Sequence, residues 1–399
     1  MKKVKVLFVI TSMGLGGAQR ALVSLFNSIN YEEYEVDLLL YYDGGFNLKF
    51  VPENVNILPS VTKNVEYFCD TKEILKRASR NNDFQTCARA LAYLLLKKIK
   101  AKGNEAVIRF YNWKFLSKYI PEYEKKYDVA ISFLDGTTNY YVIDKVAAKK
   151  KVCWVHNDYS KIDVCLKDYQ YLKKAHTVAT ISPKCVDEIH KLFPRLDNVE
   201  LVYNINSPAL IKKLSCEIID DPIYFEEKRL KILSVGRITE QKAFHLAVEA
   251  ADLLNKKNIN FHWYILGDGE LHDRIQQLIN EKKLNGKFTI LGLRENPYPY
   301  IAKADIIVQS SIYEGKSIVL DEAKILNKII VCTNYNSAID QITDEETGLL
   351  VPISGQGIAD GIDRIIHNQE LSNHILQELS TTSFSIDEYY KKYKQIFKL

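Results

Sequence analysis

Short apolar runs alternate with amphipathic stretches along most of the chain. The first apolar run, VKVLFVI (4–10), reads as a buried strand, and RALVSLFNSI after it carries apolar residues at helical spacing. Further strands are predicted at 35–42, 128–134, 151–156, 177–182, 199–204, 231–236, 261–267, 287–292, 305–311 and 328–333. Strands separated by helices form parallel sheets covered by helices. Because the alternation lapses near 204–228, it predicts two consecutive doubly wound α/β units rather than one large sheet.

The composition is typical of a globular chain. The 399 residues are 47% apolar and 26% charged, a length that favours two domains. The sequence has no run of about 18 uncharged apolar residues, so no membrane-spanning helix is expected. The seven cysteines are scattered and form no C-x-x-C pair, which is typical of reduced cysteines in a cytosolic protein. We therefore expect a cytoplasmic protein.

The net charge of +4 is unevenly distributed. Residues 71–126 carry 14 basic and five acidic side chains, whereas residues 201–399 carry 23 basic and 27 acidic ones. A basic segment of this kind can attract an anionic partner, or it can be an ordinary solvated face. Since the C-terminal half is acidic and no recognition motif is present, nucleic-acid binding is not expected.

A glycine-rich loop, TSMGLGGAQ, follows the first predicted strand. Gly14, Gly16 and Gly17 would let the backbone approach a ligand closely, and Asp43 after the second strand could hold a ribose. The spacing is nearly that of a dinucleotide-binding loop, but Gln19 stands where the third glycine belongs. A nicotinamide site, a purely structural turn and a loop facing a ligand in an interdomain cleft all remain open.

Two further loops carry charged or titratable side chains at predicted strand ends. In VGRITEQKAF (235–244), Arg237 and Lys242 could clamp a diphosphate, or they could be two solvated surface cations. In WVHND (154–158), His156 lies at a strand end, where a histidine is either structural or functional.

The stretch SIYEGKSIVLDEA (311–323) places a carboxylate on an apolar helix face. If a helix starts near Ser317, steps of about 100° per residue put Glu322 in the middle of the apolar stripe. A carboxylate there needs hydrogen-bond donors, supplied either by an internal salt bridge or by a ligand diol such as a ribose. The backbone amides of Ser317, Ile318 and Val319 would open the helix and could bind a phosphate.

Together these motifs resemble those of the retaining glycosyltransferases of family 4, nucleotide-sugar enzymes with the two-domain GT-B fold. The resemblance extends over the whole chain, in a consistent order. The stretches that carry it are GLGGAQR (14–20), WVHND (154–158), VGRITEQKA (235–243), LGDGEL (266–271), YEGKSIVLDEA (313–323) and TGLLV (347–351). It implies two Rossmann-like domains facing a central cleft: an acceptor domain at 1–204 and a donor domain at 205–380. A C-terminal helix at 381–399 would pack back on the first domain.

The resemblance also assigns roles by position. Glu322 would bind the donor's ribose, and Arg237 and Lys242 would hold its diphosphate. Glu314 would contact the transferred sugar, and His156 would reach that sugar from the first domain. Further donor contacts would come from Gly16, Gly17, Gly236, Leu293, Arg294, Lys316, Ser317, Ile318 and Val319.

The activity implied is transfer of a hexose or N-acetylhexosamine from a nucleotide sugar, with UDP the expected nucleotide. The acceptor would be a lipid-linked saccharide in surface-polysaccharide assembly, and configuration would be retained by front-face substitution. Since the sequence has no D-x-D triplet, no divalent metal or other cofactor is expected. The stretch 88–102, within 71–126, would contact an anionic membrane, placing the protein peripherally on its inner face. An NAD-dependent oxidoreductase and a non-catalytic GT-B partner subunit remain alternatives.

Three positions depart from the family pattern. Gln19 stands where the family usually has a glutamate, and Ala243 follows Lys242 where glycine is frequent. Lys316 replaces an apolar residue after E-G, at a place where the family selects its donor sugar. We therefore expect Lys316 to bear on donor specificity.

Overall fold

The computed structural model divides the chain into two compact units. The first comprises Met1–Ile205 and Asp387–Leu399, and the second comprises Asn206–Ile386. The sequence placed these divisions at 204/205 and 380/381. The structure describes residues 2–61, 104–120, 122–157, 159, 163–219, 229–382 and 386–398, together with 79, 84, 87, 88 and 91.

A parallel sheet forms the centre of the first unit. Its strands are β1 (Val4–Ile10), β2 (Tyr34–Leu40), β3 (Val55–Leu58), β4 (Tyr123–Ser132), β5 (Val146–Val155), β6 (Thr177–Thr180) and β7 (Val199–Leu201). They pair in the order β3-β2-β1-β4-β5-β6-β7. The last five residues of β1 are buried, as expected for a strand covered on both faces. The helices are α1 (Gly17–Phe26), α2 (Glu105–Leu116), α3 (Thr137–Lys145), α4 (Tyr169–Leu172) and α5 (Pro183–Leu192).

The second unit repeats this plan with a six-stranded parallel sheet. Its strands are β8 (Leu230–Val235), β9 (Phe261–Leu266), β10 (Phe288–Gly292), β11 (Ile306–Gln309), β12 (Ile329–Thr333) and β13 (Leu349–Val351). Their order is β10-β9-β8-β11-β12-β13. The helices are α6 (Pro208–Ser215), α7 (Phe244–Lys256), α8 (His272–Glu281), α9 (Tyr298–Lys303), α10 (Ile318–Ile325), α11 (Gly355–His367) and α12 (Gln369–Thr381).

The last helix, α13 (Asp387–Phe397), is part of the first unit. Its buried residues lie on one face, in line with the amphipathic pattern of the sequence. The Tyr393 ring stacks on Trp154 with centroids 5.5 Å apart, and the Phe397 ring meets Phe8 edge-on at 6.1 Å. Aromatic packing therefore joins the end of the chain to β1 and β5.

In each unit the strand order reverses between two neighbouring strands, β1 and β4 in the first and β8 and β11 in the second. Ligands of open parallel sheets bind beyond the carboxyl ends of the strands at such a switch point. The loop that carries Arg237 and Lys242 follows β8, and the loop that carries Glu314 follows β11. The fold of the second unit therefore brings two of the predicted site loops to one place.

The periodicity did not predict β3 and β13. Both are edge strands, of four and three residues, which is too short for a clear apolar pattern. The stretch 88–102, on which the predicted membrane contact depends, lies outside the described residues except for Ala88 and Leu91. Within the described part of the chain, no helix combines the length and apolar character needed to cross a membrane.

Candidate active site

The loop after β8 is packed tightly against the loop after β9. A Cβ at Gly267 would collide with the carbonyl of Gly236, and one at Gly269 would lie 2.8 Å from the backbone nitrogen of Ile238. The two glycines of LGDGEL are therefore needed because the two backbones touch. This contact holds the backbone on both sides of Arg237.

The two cations of the β8 loop differ in their surroundings. Arg237 is exposed, and no hydrogen bond or ion pair joins it to another residue in the described part of the chain. The Lys242 side chain is only 15% exposed, and its Nζ lies 2.6 Å from Oε1 of Glu314. Its stem lies over Gly236, where a Cβ would come within 2.9 Å of the lysine Cε.

Glu314 accepts hydrogen bonds from several side chains and is only 8% exposed. Besides Lys242, its Oε1 accepts from the Ser311 hydroxyl at 2.7 Å and from the Gln309 amide at 3.1 Å. Its Oε2 accepts from the Gln241 amide at 3.1 Å. An ionised carboxylate has about four acceptor positions, two on each oxygen. Oε1 is therefore fully occupied, whereas Oε2 retains capacity for one more donor.

Further hydrogen bonds tie the β8 loop to the β11 loop. The Ile312 N–H donates to the Gln241 carbonyl at 3.0 Å, and the Ser310 hydroxyl donates to the Lys242 carbonyl at 2.7 Å. The Gln241 side chain also donates to the Tyr313 carbonyl at 3.1 Å. The cationic loop and the Glu314 loop are therefore joined at the switch point.

Glu322 is fully buried on α10, as the helical spacing predicts. The hydroxyl of Tyr298, at the start of α9, donates to Glu322 Oε1 at 3.1 Å. This hydroxyl supplies one of the donors that a buried carboxylate requires.

The start of α10 differs in part from the prediction. The Ser317 N–H donates to Gln341 Oε1 at 2.7 Å, so the expectation that this amide is available to a phosphate is wrong. The Ser317 hydroxyl, however, is buried and has no partner among the described residues. Ile318 and Val319 are the first two residues of the helix, and N–H groups there have no acceptor within it. Of the predicted groups, the hydroxyl of Ser317 and the amides of Ile318 and Val319 therefore remain candidates for binding an anion.

Lys316 contacts the side of α10. Its Nζ lies 3.6 Å from Oδ2 of Asp321, and its side chain is mostly buried. Asp321 also accepts from the Asn206 amide and from the Gln341 amide, each at 3.0 Å. The charge of Lys316 therefore has a counter-ion within the second unit.

Leu293 and Arg294 lie just after β10. The Arg294 guanidinium bonds its own loop, through the carbonyls of Leu291 at 2.5 Å and Leu293 at 3.1 Å. Its Nε donates to the Tyr300 hydroxyl at 3.1 Å. These hydrogen bonds stabilise the loop. The Leu293 side chain is exposed.

In the first unit, Gly16 and Gly17 lie at the start of α1. Gly16 is the N-cap, and Gly17 is the first helical residue. The side chain of Gln19 folds back over Gly16 and donates to the Ser12 carbonyl at 3.3 Å. The residue that departs from the family pattern therefore contacts the glycine loop itself.

His156 follows β5 and is surrounded by aromatic rings. Its centroid lies 5.0 Å from that of Phe133 and 6.0 Å from that of Trp154. Burial lowers the pKa of His156 to about 4, so the ring is neutral at pH 7. Nε2 lies 3.3 Å from the Asn204 Oδ1, and with its proton on Nε2 the ring donates a hydrogen bond to that oxygen. Nδ1 is then a buried acceptor, with no partner in the described part of the chain.

Carboxylates lie against two of the cations of the candidate site in the second unit. Lys242 is paired with Glu314, and Lys316 shares Asp321 with Lys324. Arg237 is the exposed cation of the β8 loop, available to a ligand anion. Among the described residues, no group of three or more His, Cys, Asp or Glu side chains is arranged to hold a metal ion.

Residues 217–378 match a protein-family model described as Glycosyl transferases group 1. An N-acetylgalactosamine-N,N'-diacetylbacillosaminyl-diphospho-undecaprenol 4-alpha-N-acetylgalactosaminyltransferase of Campylobacter jejuni is 29% identical over 218 residues. That match covers 50% of this chain and 59% of the relative. A second C. jejuni protein is a GalNAc-alpha-(1->4)-GalNAc-alpha-(1->3)-diNAcBac-PP-undecaprenol alpha-1,4-N-acetyl-D-galactosaminyltransferase. It is 25% identical over 380 residues, which cover 93% of this chain and 91% of that one.

The crystal structure of Anabaena Alr3699/HepE in complex with UDP aligns with 98% of this chain and 99% of its own. The TM-score is 0.63 at 15% identity, a likeness that bears on the fold. In sequence the chain therefore resembles the glycosyltransferases of the family-4 type. Its fold is GT-B, an α/β architecture with one Rossmann-like sheet in each unit. Nothing in these matches favours the oxidoreductase alternative.

The structure adds residues that the sequence did not indicate. They are side chains that hold the predicted site residues: Gln241, Gln309, Ser311, Tyr298, Gln341 and Asn204. One of them had a detectable signal, because Gln309 ends the otherwise apolar strand IIVQ. A polar side chain in such a strand must find a partner. The neutral side chains of the others form no pattern along the chain.

Proposed function

We propose that this protein transfers a hexose or N-acetylhexosamine from a UDP-sugar to a lipid-linked saccharide, with retention of configuration and without a metal. The observation that carries the proposal is the junction of the β8 and β11 loops, which joins the cationic loop to Glu314. The two C. jejuni relatives are named for transfer to undecaprenol-linked saccharides, which supports this acceptor class in surface-polysaccharide assembly. The UDP complex of the Anabaena protein supports the nucleotide.

In this proposal the donor binds along the carboxyl edge of the second sheet. Glu322 accepts hydrogen bonds from the ribose hydroxyls beside Tyr298. The diphosphate is bound by Arg237, by the Ser317 hydroxyl and by the first amides of α10, since helix starts favour anions. Leu293 and Arg294 line the path of the base, and Gly236 lets the diphosphate approach the backbone.

The reaction is a front-face substitution. The bond between the anomeric carbon and the diphosphate oxygen breaks, and its electron pair stays on the phosphate. The acceptor hydroxyl forms the new bond on the same face, and its proton passes to the departing phosphate oxygen. Arg237 and Lys242 stabilise the charge that develops on the phosphate.

Glu314 and His156 are proposed to meet the transferred sugar. Oε2 of Glu314 has room for one more donor and can accept a sugar hydroxyl. His156 is neutral and takes part through hydrogen bonds rather than as a cation. The basic segment 71–126 is proposed to meet the anionic membrane that carries the acceptor. Flotation with anionic liposomes tests that contact, and no binding at low salt would contradict it.

A donor-binding screen tests the proposed function directly. Thermal shift and turnover are measured with UDP-, GDP- and ADP-sugars, and we expect stabilisation and turnover with a UDP-sugar. Glu322→Ala should remove the stabilisation by UDP, because it removes the ribose acceptor. Glu281→Ala, on the exposed side of α8, is the matched control and should leave the shift unchanged.

Two results of this screen would contradict the proposal. If no sugar nucleotide is turned over with any undecaprenol-linked saccharide, the assigned activity is wrong. If UDP stabilises Glu322→Ala as much as the unaltered protein, the ribose site is misplaced.

A further inference from the structure

We propose that Gln309 and Gln241 are positioning residues that hold Glu314 in place for the transferred sugar. The inference rests on the proposed function, because it concerns how Glu314 meets the donor. Neither glutamine belongs to the charged motifs of the sequence, and both donate to the Glu314 carboxylate.

Gln309 occupies an unusual position for an amide. It is the last residue of β11, in the middle of the sheet, and is only 3% exposed. Its Nε2 donates to the Ser311 hydroxyl at 2.7 Å and to Glu314 Oε1 at 3.1 Å. The Ser311 hydroxyl in turn donates to the same carboxylate oxygen at 2.7 Å. Both amide protons are therefore directed toward holding Glu314.

Gln241 acts from the neighbouring loop. Its Nε2 donates both to Glu314 Oε2 and to the Tyr313 carbonyl, each at 3.1 Å. Its backbone carbonyl accepts from the Ile312 N–H at 3.0 Å. Gln241 thus fixes the chain on the N-terminal side of Glu314 as well as the carboxylate itself.

The distribution of donors between the two oxygens has a consequence for binding. Lys242, Gln309 and Ser311 occupy Oε1, which leaves Oε2 with Gln241 and one free acceptor position. A sugar hydroxyl can therefore bind at Oε2 while the three contacts on Oε1 persist. Loss of Gln309 would remove one donor from Oε1 and the contact that orients the Ser311 hydroxyl, and so would hold the carboxylate less firmly about its last torsion, whose energy profile is broad. The hydroxyl acceptor would then no longer be held at one place.

A double-mutant cycle tests whether Gln309 acts through Glu314. Turnover of UDP-N-acetylgalactosamine and UDP-N-acetylglucosamine is measured for Gln309→Leu, Glu314→Gln and the double variant. Gln309→Leu should lower kcat by roughly 10- to 100-fold, the effect expected of a buried hydrogen bond to a charged group. In the Glu314→Gln background the same change should alter kcat by less than about twofold. Affinity for UDP alone should stay within about twofold, because the proposed function assigns Glu314 to the transferred sugar and not to the nucleotide.

Two further variants distinguish the loss of Glu314 positioning from a loss of folding. Gln241→Leu replaces a partly exposed side chain and should show the same non-additive loss of kcat. Ser234→Ala removes a buried hydrogen-bonded hydroxyl of β8 that does not contact Glu314, and should lower thermal stability without lowering kcat.

The inference is overturned if Gln309→Leu lowers kcat equally in both backgrounds, or if UDP affinity falls in parallel. It is also overturned if both glutamine variants turn over donor like the unaltered protein. If the unaltered protein turns over no sugar nucleotide, the proposed function fails, and this inference fails with it.

Discussion

At the scale of single residues, His156 and Glu314 are held in opposite ways. Glu314 lies among polar groups, and its two carboxylate oxygens accept four contacts. His156 lies among the rings of Phe133 and Trp154, and burial there disfavours its charged form. A carboxylate that binds hydroxyls benefits from charge, whereas a neutral imidazole can both donate and accept. The two candidate sugar-binding side chains therefore lie in contrasting surroundings, one polar and one aromatic.

The neutral state of His156 predicts a pH dependence of stability. Its pKa is about 4 in the folded chain against 6.5 ordinarily, so between these values the unfolded chain binds more protons. Stability contributed by this group is full above pH 6.5 and is lost as the pH falls toward 4. Between pH 7.5 and pH 5.0, we expect the free energy of unfolding of the unaltered protein to fall by about 2 kcal/mol more than that of the His156→Gln variant.

This difference can be measured by urea unfolding at the two pH values. In a Trp263→Phe background the fluorescence comes from Trp113 and Trp154, both buried in the first unit. Burial raises the pKa of Asp168 to about 6, so the contribution of this carboxyl to stability changes with pH in the direction opposite to that of His156. Because Asp168 is present in both proteins, its contribution cancels when their pH dependences are compared. Equal pH slopes for the two proteins would show that His156 is not buried in its neutral form.

At the scale of elements, the loop between β8 and α7 contains a strained junction. Ala243, where the family pattern favours glycine, is fully buried with φ 46° and ψ 44°, in the left-handed region. This conformation costs an L-residue about 1–2 kcal/mol. It allows the chain to turn from Lys242 into the helix, so the strain lies directly beside a candidate phosphate-binding side chain.

Substitutions at Ala243 should distinguish strain from packing. Ala243→Gly relieves the conformation but loses a buried methyl, about 0.8 kcal/mol, and gains unfolded-chain freedom of about 0.4–1 kcal/mol. The net change should stay within about 1 kcal/mol. Ala243→Val should cost about 2 kcal/mol or more, since a branched side chain fits this region poorly.

Ala247→Val is the matched control, because it adds the same atoms at a buried position of α7 with ordinary helical geometry. Urea-dependent hydrogen exchange of α7 and β8 gives the stability of each variant. If Ala243→Val costs no more than Ala247→Val, strain at this junction makes no contribution.

The elements also show how far the sequence could predict this structure. β1 has the predicted bounds, α10 starts at the predicted place, and Glu322 is buried as its spacing requires. These features depend on local periodicity, which the sequence records directly. The hydrogen bond from the Ser317 N–H to the Gln341 side chain depends instead on the packing of two residues that are 24 positions apart in the sequence. No local pattern indicates which distant side chain will reach a helix start.

At the scale of the whole molecule, the two units have the same kind of architecture. Each unit is a parallel sheet whose order reverses once, and in each a site loop follows a strand beside the reversal. In the second unit this places the cationic loop and the Glu314 loop together. The exposed cation at this point is Arg237, and we propose that it faces the ligand beside the Lys242–Glu314 pair. A diphosphate could therefore be neutralised without a metal ion.

This arrangement predicts that transfer is independent of divalent cations. We expect turnover of the UDP-sugar to be unchanged in excess EDTA, because Arg237 and Lys242 stabilise the departing diphosphate. Arg237→Ala should lower kcat by roughly 100-fold or more, and added magnesium or manganese should not restore it. Arg229→Ala, at a half-buried position at the amino end of β8, is the control for loss of a positive charge at the opposite end of the strand. Loss of turnover in EDTA that a divalent ion restores would contradict the prediction, since the charge would then come from a bound metal.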